Sequence, residues 1–170
     1  LCQWAKALGA TIVGTVSTQE KAEVAKAAGC HFPVVRSEKS FVEVVREVTN
    51  NEGCAVVYEA IGKDTLQDSL DTLRPMGICA AYGHVSGPPD PVDIIQDLGR
   101  RGSLFITRPA IMHYVAKRVD LEWTARDLFK AIGDKIISAN INYEYELKDA
   151  VQAHTAIESG KTLGASVLIP

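Results

Sequence analysis

Residues 11–21, TIVGTVSTQEK, decide the fold. Five of the six residues from Thr11 to Val16 are β-branched, and Gly14 is the exception. A run of this kind suits a parallel strand covered on both faces better than a half-solvated one. Directly after it, Ser17 and Glu20 stand three residues apart, the spacing of a capping box, so a helix should open here with Lys21 in its first turn. A strand running straight into a helix is the unit of a parallel sheet, because parallel neighbours need a crossover between them.

The same alternation extends along the chain. Further strands are expected at 33–35, 55–59, 78–82, 103–107, 141–145 and 166–169. Between them, Phe41, Val44, Val45 and Val48 fall on one helical face, and Leu66, Leu70 and Leu73 make a second stripe. Leu121, Ala125, Leu128 and Ile132 make a third stripe; Leu147, Val151, His154 and Ile157 make a fourth, with His154 expected as a satisfied core histidine. The opening residues 1–8 read as a helix stopped by Gly9. Residues 84–93, with three prolines and Gly87, form the one long loop. The expected fold is α/β: a doubly wound, Rossmann-like parallel sheet with helices on both faces, in one domain over residues 1–170.

Composition narrows the function classes. With 46% hydrophobic and 23% charged residues the chain is an ordinary globular one, and its 170 residues can close a substantial core. A net charge of −3, without a lysine–arginine stripe, argues against nucleic acid as a partner. No apolar run reaches the roughly 18–20 residues of a membrane span, so no membrane partner is expected. Cys2, Cys30, Cys54 and Cys79 are far apart with no C-x-x-C pair, which fits reduced core thiols in the cytoplasm rather than a metal site.

Chemistry enters at the end of the 11–16 strand. In a dinucleotide-binding unit an acid at the end of the second strand bonds the ribose hydroxyls of NAD, whereas small polar and cationic residues leave room for the 2′-phosphate of NADP. No acid ends this strand, and Lys21 stands one helical turn on. The alternative is that Ser17 and Glu20 only cap and Lys21 is a solvated helix residue. The chain has no G-x-G-x-x-G, so either it is not a dinucleotide domain or it starts partway through the first βα unit. It also has no nucleophile elbow, Walker loop, H-E-x-x-H or paired catalytic carboxylates.

The segments CQWAKALGA, GTVSTQEK, VVYEAIGKDTL, GSLFITRP and ASVLIP resemble the cofactor half of the zinc-independent quinone oxidoreductases, the ζ-crystallin-like branch of the medium-chain dehydrogenase/reductase superfamily. The likeness runs through the whole chain, and GSLFITRP is its most branch-specific piece. It implies a C-terminal fragment that lacks the GroES-like catalytic domain, the first Rossmann strand and the glycine-rich turn. On that reading the last ~20 residues would return toward the missing domain. The edges and apolar faces beside the absent strand would then need a cover.

The resemblance also implies cofactor contacts. Ser17, Thr18 and Lys21 would face the adenosine ribose and 2′-phosphate of NADPH. Arg36 stands where the family often has a tyrosine near the adenine, and would grip the phosphate or be a solvated loop cation. Ile61 and Gly62 would pass the nicotinamide-side ribose, although Gly62 also suits a plain turn. Tyr82, Gly83, His84 and Val85 match a segment near the same ribose; His84 is unusual there, either a proton donor or surface decoration. Pro109, Ala110 and Ile111 would approach the carboxamide, and Lys161 would replace an arginine on the 2′-phosphate. No catalytic residue is assigned within the chain, since the dinucleotide carries the hydride.

The implied activity is NADPH-dependent reduction of a quinone or similar conjugated carbonyl, with little turnover by the fragment alone. Alternatives are an enoyl or alkenal reductase of the same superfamily, or a non-catalytic nucleotide- or RNA-binding or crystallin-like role. The strand from Gly102 to Thr107 is expected at the sheet edge, where it would pair with its mate in a homodimer.

Overall fold

The β-branched and apolar runs expected as strands become strands, and each lies parallel to a neighbour in the chain. The computed structural model describes residues 1–160 and 162–170. The first part of the chain runs α1 (Cys2–Ala7), β1 (Val13–Val16), α2 (Gln19–Ala27), β2 (Phe32–Val35) and α3 (Phe41–Val48). The middle runs β3 (Cys54–Glu59), α4 (Leu66–Asp71), β4 (Leu73–Ala81), a π-helical turn (Ile94–Gly99) and β5 (Phe105–Thr107). The last part comprises α5 (Ile111–Tyr114), α6 (Arg118–Gly133), β6 (Ile141–Glu146), α7 (Ala150–Glu158) and β7 (Ala165–Ile169).

Among the described residues the strands form three parallel sheets: β1–β2, β3–β4–β5 and β6–β7. β5 is the outermost strand of the middle sheet, as expected for the GSLFITRP segment. That strand is shorter than the sequence implied, because Ser103 takes a left-handed φ of 58° that an extended strand cannot hold. Helix α3 packs on β1 and β2 and also touches α4, so it joins the first two sheets. Two further ties reach the C-terminal part: the Gln3 amide exchanges two hydrogen bonds with Ser138, and Lys21 Nζ donates to the Gly160 carbonyl at 2.6 Å.

Local chemistry explains the boundaries. α1 stops at Gly9, whose φ of 81° allows its N–H to reach Lys6 O while Ala10 N–H reaches Ala5 O, a Schellman stop. The cap of α2 differs from the expected box: Thr18, not Ser17, accepts from Lys21 N–H, at 3.3 Å. The helix thus starts one residue later, and Glu20 sits in its first turn without closing a box. Ser40 caps α3, whose Val44 and Val45 are buried as the stripe requires.

The best-packed core lies under the middle sheet. Leu66 and Leu70 from α4 meet Leu73, Cys79 and Leu104, with Val57 and Ile106 packed against them. Leu73 belongs to β4 and not to the α4 stripe, since the helix ends at Asp71 and Leu73 pairs with Cys54 across a bulge. The opposite face of this sheet is open: Val56, Ile78 and Phe105 share one register row and are 42%, 42% and 59% exposed. β1 is only half-buried, with Thr15 exposed, so it is not covered on both faces.

Two helical stripes are present without being buried. Leu121, Leu128 and Ile132 lie on α6 but remain exposed, and the helix buries Ala131 instead. His154 is also exposed; α7 turns Ala153 inward, one position from the expected stripe.

Candidate functional site

The parallel strands end on one side in three groups of loops, the place where open α/β sheets bind ligands. At the first, Val16 lies opposite Val35, and Arg36 N–H donates to Val16 O at 3.1 Å. This brings Ser17, Thr18 and Arg36 to one rim. Lys21 reaches from the first turn of α2 to Gly160 O, so its ammonium is held by a carbonyl and, among the described residues, pairs with no carboxylate. Lys161 lies outside the described residues.

The second group is built around a residue the sequence reading passed over. Glu59 ends β3 and is only 4% exposed. Its Oε1 accepts from Ile61 N–H (2.6 Å), Gly62 N–H (3.1 Å) and Thr65 Oγ1 (2.9 Å), and its Oε2 accepts from Ser69 Oγ. Four donors satisfy one buried carboxylate, which ties the end of β3 to the first turns of α4. An acid closing an apolar strand, followed by a threonine and a serine that α4 turns back toward it, was the available signal.

The 59–64 turn is sewn to the 82–87 loop after β4. Tyr82 and Gly83 N–H donate to Glu59 O, Val85 N–H to Ala60 O, and Ser86 bonds Ile61 O through both its N–H and its hydroxyl. Ile61, Gly62, Tyr82, Gly83, His84 and Val85 therefore meet as one surface. A Cβ on Gly62 would stand 2.9 Å from His84 Cα, and one on Gly83 would stand 2.8 Å from Ala60 Cα, so both glycines serve the close approach of two backbones. Gly83→Ala should cost about 1–3 kcal/mol. Gly133→Ala, with nothing within 4 Å of its Cβ, should be neutral or slightly stabilising. Thermal melts of both variants check this contrast.

The third group follows β5. Thr107 pairs beside Ala80, and Pro109 and Ala110 line a cavity of about 220 Å³ with Thr107, Arg108, His113 and Tyr114. Ile111 opens α5 and is exposed. Arg108 Nη1 donates to Ala81 O at 2.7 Å, and its Nη2 lies 3.1 Å from His84 Nδ1, joining this group to the second. An arginine only donates, so Nδ1 accepts and the ring proton sits on Nε2. A larger groove of about 480 Å³ runs between α2, β2 and α3, but neither Lys21 nor Arg36 lines it.

Cys30, Cys54 and Cys79 are poor nucleophiles. Burial, and then the nearby Glu59 charge, push the Cys79 thiol up to about 11, and burial also raises Cys30 and Cys54. These thiols stay protonated at neutral pH. All four cysteines are unpaired in disulfides, and among the described residues no group of three or more His, Cys, Asp or Glu side chains is placed to hold a metal.

Parallel βα units with ligand-ready loops gathered at the carboxyl ends of the strands define a Rossmann-type α/β domain. The structure superposes on the crystal structure of Escherichia coli quinone oxidoreductase complexed with NADPH with a TM-score of 0.93 at 39% identity, covering 99% of this chain and 52% of that one. In sequence the chain is 50% identical over 98% of its length to 2-haloacrylate reductase from a Burkholderia species. It is 39% identical over 99% of its length to quinone oxidoreductase 1 of Escherichia coli K12. It spans about half the length of these curated relatives, 50% and 52% respectively. Residues 1–112 match the zinc-binding dehydrogenase family, and the chain belongs to that family.

Proposed function

We propose that this chain is the cofactor-binding part of an NADPH-dependent reductase whose acceptor is a quinone or a similar conjugated carbonyl. The observation that carries the reading is the joining of the 59–64, 82–87 and 107–110 loops into one surface, with Lys21 and Arg36 on the adjoining rim and no acid ending β1. The residues fit the nucleotide: Gly62 and Gly83 let the 59–64 and 82–87 backbones close into one surface, and two cations suit a 2′-phosphate. The names of the relatives, quinone oxidoreductases and a haloacrylate reductase, belong to the same reaction class.

In this reading Lys21 and Arg36 hold the 2′-phosphate, and Ser17 and Thr18 line the adenosine ribose. Ile61, Gly62, Tyr82, Gly83, His84 and Val85 border the second ribose, and Pro109, Ala110 and Ile111 orient the carboxamide edge. NADPH, when bound, supplies the hydride. The chain's own work is positioning and the exclusion of water. Pairing of two chains through the free edge of β5, and a cytoplasmic setting that keeps the thiols reduced, complete the proposal.

Lys21 gives the test. Calorimetric titration of the intact protein should show NADPH bound more tightly than NADH. Lys21→Ala should weaken NADPH by about ten-fold or more while changing NADH far less. Equal losses for both nucleotides would sink the 2′-phosphate assignment.

A further inference from the structure

The fold brings together two thiols that stand far apart in the sequence. Cys2 opens α1, and Lys6 lies one helical turn further on. This part of α1 rests on the turn that follows α2: a Cβ on Gly29 would stand 2.8 Å from Lys6 Cδ and 3.6 Å from the Cys2 carbonyl oxygen. Cys30 comes next in the chain, and its thiol lies in hydrogen-bond contact with the Cys2 thiol. Cys30 is 2% exposed; its Sγ is 3.7 Å from Ile12 O and fills the space that a side chain on Gly14 would need. Cys2 is only half-buried. Neither Cys54 nor Cys79 has a second thiol beside it.

Paired thiols differ from single ones in what an oxidant makes of them. A single accessible thiol climbs through sulfenic to sulfinic acid, whereas a neighbouring thiol intercepts the sulfenic acid and closes a disulfide. Sulfurs already in hydrogen-bond contact need only side-chain rotation and a slight approach to reach the bond length of about 2 Å. Helix α1 can supply that approach, because it has six residues and none of them is buried. Access separates the two roles: Cys2 can meet a small oxidant, and Cys30 is shielded from one. Burial first, and then the Cys2 thiol, raise the Cys30 pKa from its ordinary value, while the Phe32 and Gly14 N–H groups pull it down. Those two N–H groups are donors for the sulfur at the moment it gives up its proton.

We propose that Cys2 and Cys30 form a reversible disulfide when the protein meets a hydroperoxide, Cys2 taking the oxidant and Cys30 resolving it. The Cys2 sulfur attacks one peroxide oxygen, the O–O bond breaks, and the sulfenic acid forms as water or an alcohol leaves. Cys30 then gives up its proton and attacks the Cys2 sulfur, so the S–S bond forms and the sulfenic oxygen departs as water. Each sulfur loses one electron and the peroxide gains two. A thiol reverses the step by exchange, which makes the reduced pair the resting form in a reducing compartment. The loop that the bond closes contains β1 and α2, together with Ser17, Thr18 and Lys21 of the rim.

Peptide mapping after oxidation is the test. The intact, reduced protein is treated with a small excess of hydrogen peroxide, alkylated in denaturant and cut with trypsin without reductant. The peptide Ala27–Arg36, which carries Cys30, should be recovered joined to the peptide that carries Cys2 and ends at Lys6, and dithiothreitol should part them. Cys54 and Cys79 should be recovered alkylated. Cys2→Ser should slow the loss of the Cys30 thiol by about ten-fold or more. In Cys30→Ala the link should be absent and Cys2 should go on to sulfinic acid; if that variant does not fold, Cys2→Ser decides. Sulfinic acid on Cys2 of the wild type with Cys30 still alkylated overturns the proposal. So does a link from Cys2 to any other thiol, or a Cys30 thiol lost equally fast in Cys2→Ser.

Discussion

Glu59→Ala should destabilise the protein by several kcal/mol, on the order of 4, a large fraction of the roughly 5–15 kcal/mol that holds an ordinary domain folded. The substitution removes the acceptor shared by Ile61 N–H, Gly62 N–H, Thr65 Oγ1 and Ser69 Oγ, in a place that is 4% exposed. Each donor left without a partner costs about 1–3 kcal/mol, and water entering the vacated space recovers part of it. Glu59→Gln keeps one carbonyl oxygen for Ile61, Gly62 and Thr65 and asks only the Ser69 hydroxyl to turn from donor to acceptor. Its cost should be about 1–2 kcal/mol. Urea denaturation of the two variants separates the cases. Equal losses would mean that packing, and not acceptor capacity, explains the position.

Leu70→Ala should cost about 2–5 kcal/mol. Leu70 is fully buried between Leu66, Leu73, Cys79 and Leu104, so truncation leaves a void with backbone-anchored walls. Leu128→Ala, on the exposed stripe of α6 at 39% exposure, should fall below about 1 kcal/mol. Midpoints of chemical denaturation at constant m-value measure the difference. A similar loss at both positions would show that α6 is covered in solution as firmly as α4.

The alternation of strands and helices was legible because β-branched runs and helical stripes are local signals. All seven strands lie where the 11–16, 33–35, 55–59, 78–82, 103–107, 141–145 and 166–169 runs placed them, within a few residues at each end. What periodicity does not carry is the partner of a face. The stripe of Phe41, Val44, Val45 and Val48 meets β1 and β2, whereas the stripe of α6 stays exposed and α7, which packs on β6 and β7, buries Ala153 rather than its stripe. Hence His154 reads as core and is exposed. Leu73 misleads for another reason: its spacing from Leu70 is helical, yet pairing with Cys54 pulls it into β4.

The candidate site was legible to a similar depth. The structure sets Ser17, Thr18 and Arg36 at neighbouring strand ends and Gly62 against His84. The groups that organise the site were harder to see. Glu59 and Arg108 act through partners two to twenty-seven residues away, and only Glu59 carries a local signal, the threonine and serine that follow it.

The pairing of consecutive strands has a consequence for how the chain acquires its shape during synthesis. Each ladder joins strands that are consecutive in the chain, with one crossover between them. A growing chain thus presents both members of a pair in close succession, and β1 with β2 can close before β3 exists. Loop-closure entropy is paid in short instalments rather than over the whole length, which favours early pairing despite an all-parallel topology.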